Sequence, residues 1–423
     1  MESITDLTPE IQKRVSDFER FISKEGMKRP EVKFTGAILT AMLKRHHVHL
    51  TVLSRSLEED ITPKKTWERL TRNLSRKDIG SELIRLNLHK NACKIRDFRY
   101  CVIDGSDIQK LEANQMEGLG RVRDGSKKAQ DKKPMIGNGY YWLNGVMVND
   151  EEILSVYSDI YSLEQEAGDH VSEHTKIHEI TDMVCGINPN TIFVIDRGGD
   201  GETVMDPMIT KHRRFVIRGQ STRSLRLHKD SNKATNIKKI AQRTKTPYTY
   251  KSSRNGEQFT VGIRRVYLGD TPLWLVVSRR HTTKEALSWY VTNVEGSRKT
   301  VMMTVMHAYG LRWRVEEYHR QIKQDYHLKQ ICLRKYDAIK NMGIIVMLAA
   351  SFCARLPENL VIKLLVLTKQ LPHNRLRDIP SYPYYMIIAA VARALVHAGK
   401  RQYKPLRIRK RDYFQLNLNI RGI

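Results

Sequence analysis

Two short apolar runs stop on aspartate, and the order of what lies between them restricts the fold more than any other stretch. Phe98-Arg-Tyr-Cys-Val-Ile103 ends at Asp104-Gly105-Ser106, and Thr191-Ile-Phe-Val-Ile195 ends at Asp196-Arg197-Gly198-Gly199-Asp200. Between them, Ile136 to Leu143, an Asn144-Gly145 turn and Val146 to Val148 read as a hairpin, and Ile153 to Tyr161 continues it. Val171, Ile177, Ile180 and Met183 then recur at helical spacing. In a sheet built in that order the first and last strands can lie side by side, which brings Asp104 and Asp196 together. Each alone is as readily a turn residue. Two at matching strand tips point to a site.

A third carboxylate comes from Tyr309-Gly-Leu-Arg312-Trp-Arg-Val-Glu316-Glu-Tyr-His-Arg-Gln-Ile-Lys323, which has no proline and only one glycine, near its start. Read as one helix, it places Tyr309, Arg312, Glu316 and Lys323 within an arc of about 60°. Leu311, Val315, Tyr318 and Ile322 form a separate apolar stripe for the core. On its own this is a solvated helix with an Arg312–Glu316 pair worth a few tenths of a kcal/mol. Joined to Asp104 and Asp196, it makes a three-carboxylate site. All-oxygen ligands suit Mg2+ or Mn2+, whereas zinc calls for His or Cys. Two such ions about 4 Å apart serve phosphodiester chemistry, with Arg312 and Lys323 holding phosphates.

The partner class follows from charge. The 423 residues carry a net +27, so a polyanion, first of all nucleic acid, is the expected ligand, with a membrane surface second. Met342 to Ala354 is too short to span a bilayer and reads as a buried helix. The N-terminus resembles no export signal, so a cytoplasmic protein is expected. The five cysteines (93, 101, 185, 332, 353) read as reduced core thiols.

Residues 1 to about 90 look all-helical. Leu50 to Leu57, the turn Glu58 to Ile61, Thr62 as N-cap and Pro63 at the first helical position give helix, turn, basic helix. That is the pattern of a helix-turn-helix DNA reader, with Lys64, Lys65, Arg69 and Arg72 on its second helix. Any small bundle with a charged face gives the same pattern. Gly118 to Lys133 reads as a basic loop carrying Arg121, Arg123, Lys127, Lys128, Lys132 and Lys133. The roughly 120 residues between Asp196 and Glu316 exceed one crossover. Arg214 to Ile217, Tyr248 to Ser253, Gln258 to Leu268 and Pro272 to Val277 make them an inserted β subdomain. Trp274 there is by default a core residue, and alternatively a platform for an unstacked base. Residues 335 to 400 read as helical, and 400 to 411 as a basic tail.

With these residues in view the chain resembles bacterial insertion-sequence transposases of the DDE class. The likeness is to the cut-and-paste, hairpin-forming branch with a Tyr-x2-Arg-x3-Glu-x6-Lys signature. Tyr309, Arg312, Glu316 and Lys323 fill all four positions at that spacing, which selects Glu316 over Glu317. Val-Ile-Asp104, Val-Ile-Asp196-Arg197, Arg214-Phe-Val-Ile-Arg218 and Pro-Leu-Trp274 match further elements, over roughly residues 95 to 350; Asp107 competes with Asp104.

The resemblance implies an α/β fold: an RNase H-like mixed sheet core with a β-rich insertion, an all-helical N-terminal domain and a helical C-terminal region. The corresponding divisions are 1–90, 91–205, 206–285, 286–357 and 358–423. It implies a two-metal Mg2+ site, for which Mn2+ can substitute, on Asp104, Asp196 and Glu316. It implies a homodimeric synaptic complex on double-stranded DNA, both terminal inverted repeats and target, with cleavage, hairpin closure and opening, and joining. Tyr309, Arg312 and Lys323 would handle phosphates and Trp274 would stack on a flipped base. Arg218, Arg197, Lys64, Lys65, Arg69 and Arg72 complete the expected DNA contacts of a cytoplasmic, nucleoid-associated enzyme. Gly198-Gly199 stands where bulkier residues can occur, which leaves that loop freer to move. The alternatives are a DNA-binding protein derived from a transposase without catalysis, and a structure-specific nuclease.

Overall fold

A computed structural model describes residues 4–123, 136–164, 172–280, 286–371 and 382–397. The chain opens with helices α1 (Ile4–Lys24), α2 (Arg29–Arg45), α3 (Leu50–Ser56), α4 (Pro63–Leu74), α5 (Ile79–Lys90) and α6 (Ala92–Asp97). Then follow β1 (Tyr100–Gln109), β2 (Gly120–Arg123), β3 (Ile136–Val148), β4 (Ile153–Tyr161), α7 (Glu173–Cys185), β5 (Ile192–Ile195), α8 (Glu202–Thr210) and β6 (Arg214–Arg218). A β-rich stretch comes next: β7 (Ser224–Arg226), β8 (Ala234–Asn236), α9 (Ile237–Arg243), β9 (Tyr248–Lys251), β10 (Gln258–Leu268), β11 (Thr271–Arg280) and β12 (Ala286–Thr292). The rest is helical: α10 (Arg298–Gly310), α11 (Trp313–Gln324), α12 (Tyr336–Ala354), α13 (Glu358–Leu367) and α14 (Tyr384–His397).

The strands form one mixed sheet of twelve. β1 pairs antiparallel with β3 and parallel with β5, in register Tyr100↔Ile192 to Ile103↔Ile195. The first and last strands of the opening pattern are therefore neighbours. Every residue of β5, and Phe215, Val216 and Ile217 of β6, is buried, as a parallel strand covered on both faces requires.

Several local expectations change. Asn144-Gly145 is no turn: β3 runs through it with a bulge, and the chain reverses after Val148. Asn144 is needed inside, where its amide meets His319 at 3.2 Å. Gly145 is needed because Ile180 of α7 would stand 2.9 Å from any Cβ there. β1 does not stop at Asp104 but continues to Gln109, held by β3 alone. The stretch read as an inserted subdomain is not a separate sheet. β6 lies parallel beside β5, and β12 joins β6 to β11 and β10. Arg121 and Arg123 sit on strand β2 rather than in a loop. Lys127, Lys128, Lys132, Lys133 and the basic tail lie outside the described residues.

α12 has 19 residues, more than the apolar run suggested, and by length and composition it could cross a membrane. Here it is a core helix, with 83% of its most apolar stretch buried, packed on β4, α2 and α5. Asn341 of α12 donates to the carbonyls of Leu74 (2.7 Å) and Arg76 (2.8 Å), bracing the end of α4 against the core. α14 packs on α1 and α2, so the first and last described helices share one hydrophobic interior. Cys101, Cys185 and Cys353 are core thiols as expected, whereas Cys93 and Cys332 are exposed.

α4 starts as its sequence requires: Pro63 opens it and the Thr62 hydroxyl accepts from the Lys65 amide at 3.4 Å. Thr62→Ala should therefore cost about 1 kcal/mol of stability, measurable by denaturant unfolding.

Candidate active site

The parallel pairing of β1 ends one residue before Asp104, and β5 ends one residue before Asp196. Both carboxylates consequently stand at the same open edge of the sheet, lining a cleft of about 300 Å³. Gly199 closes the turn after Asp196; a Cβ there would stand 2.5 Å from Ile195, so this glycine is packed rather than free. Asp200 is buried and occupied by Arg223 (2.7 Å) and the Gln220 amide (2.6 Å), which makes it a brace for the loop.

The stretch from Tyr309 to Lys323 is not one helix. Tyr309 lies in the last turn of α10, Arg312 caps α11, and the joint is tightened by i→i−3 bonds: Arg312 N–H to Tyr309 (3.1 Å), Arg314 N–H to Leu311 (3.0 Å) and Val315 N–H to Arg312 (3.1 Å). The apolar stripe is nonetheless buried at Leu311, Val315, Tyr318 and Ile322. Three of the four polar residues still reach the strand tips, and Glu316 is tied to them through Arg312. The Tyr309 hydroxyl donates to Asp196 Oδ1 at 3.2 Å. Arg312 forks between Asp104, at 3.4 Å, and Glu316. Lys323 donates to Ser106 Oγ at 2.7 Å and lies 3.7 Å from Asp107. Asp107 is thus the lysine's partner, while Asp104 faces the other carboxylates.

Burial is the main force on the ionisable groups here. It raises the Asp104 carboxyl to about 7; Arg312 opposes the rise, and Asp196, Glu316 and Glu173 add to it. Burial also works against the charge of Arg312, but Asp104, Tyr309, Glu316 and Asp196 outweigh it and hold the guanidinium protonated. His319 is pushed down to about 3 by burial, then by Lys323 and Arg312, so its ring is neutral. It lies 3.9 Å from Asp104 and meets Asn144 with its other nitrogen.

The donors are carboxylate oxygens, a chemistry that fits a hard divalent cation and not zinc. Among the described residues no three His, Cys, Asp or Glu side chains stand close enough to hold an ion as placed. Glu316, with half its side chain exposed, is paired with Arg312, which bridges it to Asp104.

The sequence matches the family model described as a transposase DDE domain over residues 96–352. The chain belongs to the DDE transposase family. No curated protein matches it.

The remaining DNA-contact candidates of this DDE transposase are not all placed at the cleft. Arg218 does not line the cleft but stands beside Tyr309, its guanidinium 6.0 Å from that ring. Arg197 is exposed on the turn after β5 and does not line the cleft. Trp274 is partly buried on β11, with Arg265 4.4 Å above its ring. It lies three strand spacings from β5, on the order of 14 Å. Lys64, Lys65 and Arg72 are exposed on α4, but Arg69 is held by both oxygens of Glu59 at 2.6 and 2.7 Å. Arg69 therefore ties α4 to the turn before it.

The sequence reading missed Glu173, His319, Ser106 and Tyr290. His319 had a signal, since it falls one helical turn after Glu316. Ser106 had a weaker one, two residues beyond Asp104 on the same strand face. Tyr290, its ring tilted 49° against that of Tyr309 at 4.5 Å, lies in a strand the sequence pattern did not mark.

Proposed function

We propose that this DDE transposase excises and integrates an insertion sequence by hydrolysis and transesterification at terminal inverted repeats, through a hairpin intermediate, on an RNase H-like core. One observation carries the reading. Three positions of the hairpin-branch signature, although split across two helices, meet residues at the strand tips, Tyr309 on Asp196, Arg312 on Asp104 and Lys323 beside Ser106 and Asp107, and the fourth, Glu316, is held on Arg312.

Asp104, Asp196 and Glu316 would hold Mg2+ or Mn2+, which when bound activates an attacking oxygen and stabilises the leaving one. Arg312 then exchanges its carboxylate partners for a DNA phosphate, which frees Glu316 to turn toward the aspartates. Lys323 and Arg218 add positive charge on either side, and Tyr309 offers a hydroxyl to the scissile region. Trp274 stacks on a base only if Arg265 leaves its face. The exposed cations of α4 grip the duplex, and two copies bring the element ends together.

The test is cleavage of duplex DNA carrying the inverted repeats that flank the gene. Mg2+-dependent nicking followed by a covalently closed end, seen on a denaturing gel, supports the full reading. Double-strand breaks with open ends remove the hairpin branch. Specific binding without cleavage leaves the non-catalytic DNA-binding alternative, and cleavage without target joining leaves the nuclease.

At the helical end, replacing Lys64, Lys65 and Arg72 together by Ala should lower affinity on any duplex. It should also reduce the slope of log K against log salt by roughly 3, near 0.9 per lost phosphate contact. Arg69→Ala should instead lower the melting temperature, because Arg69 is engaged with Glu59.

A further inference from the structure

Away from the sheet edge, a second cavity gathers cations that the chemistry above leaves unused. It has a volume of about 240 Å³ and lies between α1, the end of α5 and the end of α12. Arg14 and Asp17 of α1, Lys90 of α5 and Arg355 after α12 line it, with Phe18 and Phe352 as an apolar wall. None of these residues lines the catalytic cleft. Lys90 is the last residue of α5 and Arg355 caps α12, so both sit where helix carbonyls favour a cation. Their stems also cover rings. The Lys90 ammonium lies 4.8 Å from the centre of Phe21, and the Arg355 guanidinium 5.7 Å from that of Phe18.

Those contacts account for the stems and leave the charges unmatched. Among the described residues, neither Lys90 nor Arg355 has a side-chain hydrogen bond or a carboxylate partner. The Nε and Nη1 of Arg355 are closed off from solvent and donate to nothing, and the Nε of Arg14 is likewise without an acceptor. Burial presses the Arg355 guanidinium down to about 10, and it lowers Lys90 as well, with Arg355 adding to that and Asp17 opposing it. The other charges of the cavity are already balanced: Arg14 reaches Glu10 at 3.4 Å, and Asp17 holds Arg20 at 3.2 Å. What remains is the pair of formal positive charges on Lys90 and Arg355. A guanidinium shut away from water without an acceptor is costly, and an anion of matching charge would offset both cations at once. A phosphate monoester fits best, since it carries close to two negative charges at neutral pH and three acceptor oxygens, whereas a backbone phosphodiester carries one charge.

We infer that this cavity is a binding site for a phosphate monoester dianion, held by Lys90 and Arg355 with the Nε of Arg14 beside them. The dianion would tie α1 and α5 of the N-terminal helices to the end of core helix α12. Two sources share that chemistry, a small phosphate ester and the phosphorylated 5′ end of a DNA strand. A merely structural role would have the two cations complement the carbonyl ends of α5 and α12 and bind nothing.

Phosphorus NMR titration of the full chain at low salt, with inorganic phosphate and then deoxyadenosine 5′-monophosphate as probes, separates these. Saturable binding is expected, and Lys90→Gln with Arg355→Gln should weaken it at least about tenfold. Lys238→Gln with Lys239→Gln, which removes the same two charges from exposed positions of α9, should leave it unchanged. Asp17→Asn, which deletes the negative charge of the cavity, should tighten it. Displacement of bound phosphate by a 5′-phosphorylated duplex, but not by the same duplex without that phosphate, assigns the DNA end. Displacement by the mononucleotide alone assigns the small ester. Equal displacement by both duplexes overturns the monoester assignment. Absence of saturable binding, or equal weakening by the two double variants, overturns the site. So does a lower melting temperature of the Lys90 and Arg355 double variant with phosphate binding intact, which leaves the structural role. Should that variant not fold, Lys90→Gln and Asp17→Asn decide singly, the first by weaker binding and the second by tighter; no change in either overturns the site.

Discussion

Asp196→Asn, Asp104→Asn or Glu316→Gln is expected to lower strand cleavage at the element ends by about a thousandfold or more, with binding to uncut DNA retained. A metal-held oxyanion is worth several kcal/mol in the transition state, and each 1.36 kcal/mol is a factor of ten in rate. Loss of a ligand that orients the cation forfeits most of that. Binding should not fall, because each change removes a negative charge from a surface that must accept phosphates. Glu317 supplies the control. It is the next residue to Glu316, but its carboxylate pairs with Arg320 at 2.9 Å on another face of α11. Glu317→Gln should cleave normally. Single-turnover cleavage together with a binding titration checks all four, and normal cleavage by Glu316→Gln or Asp196→Asn would dismiss the site.

What the sequence revealed and what it hid follow from the range of the interactions concerned. Asp104 and Asp196 were legible because a buried parallel strand must be apolar throughout, so the first polar residue marks where its partner ends. The helical wheel over Tyr309 to Lys323 grouped four residues on one arc by an incomplete route. It assumed 100° per residue through Leu311 and Arg312, where the backbone tightens to i→i−3 bonding. Tyr309, Arg312 and Lys323 still reach the strand tips, because Tyr309 is delivered by α10 and the other two by α11. Asn144-Gly145 has the composition of a hairpin turn, but that preference is local. It yields to a tertiary demand, an amide for His319 and no Cβ against Ile180. Glu173 could not be found by spacing at all. It lies 69 positions from Asp104 in the chain, on a helix whose start is set by an ordinary serine cap. Arg69 shows what spacing alone leaves out: a basic residue on α4 whose guanidinium is held by Glu59 of the preceding turn.

The second large effect is on stability, and its sign comes from Asp104. Its carboxyl titrates near 7 in the folded chain, against 3.8 when exposed, chiefly because burial penalises the charged form. Folded protein therefore holds this proton more tightly than unfolded protein does. Stability from this group is complete below about pH 4, declines as pH rises, and is lost by about pH 7. At about 1.4 kcal/mol per unit, the loss is at most about 4 kcal/mol. A divalent cation at the carboxylate reverses the penalty, since it favours the charged form that burial disfavours. Mg2+ should thus raise the melting temperature clearly at pH 8 and little at pH 5. Asp104→Asn, which removes the charge, should melt higher than the unaltered chain at pH 8 without metal, and Mg2+ should then add little. Melting curves at both pH values, with and without Mg2+, read this directly. If Asp104→Asn melts lower at pH 8, or if Mg2+ shifts both proteins equally, Asp104 is a structural acid held by Arg312, and the charge it carries is not waiting for a metal.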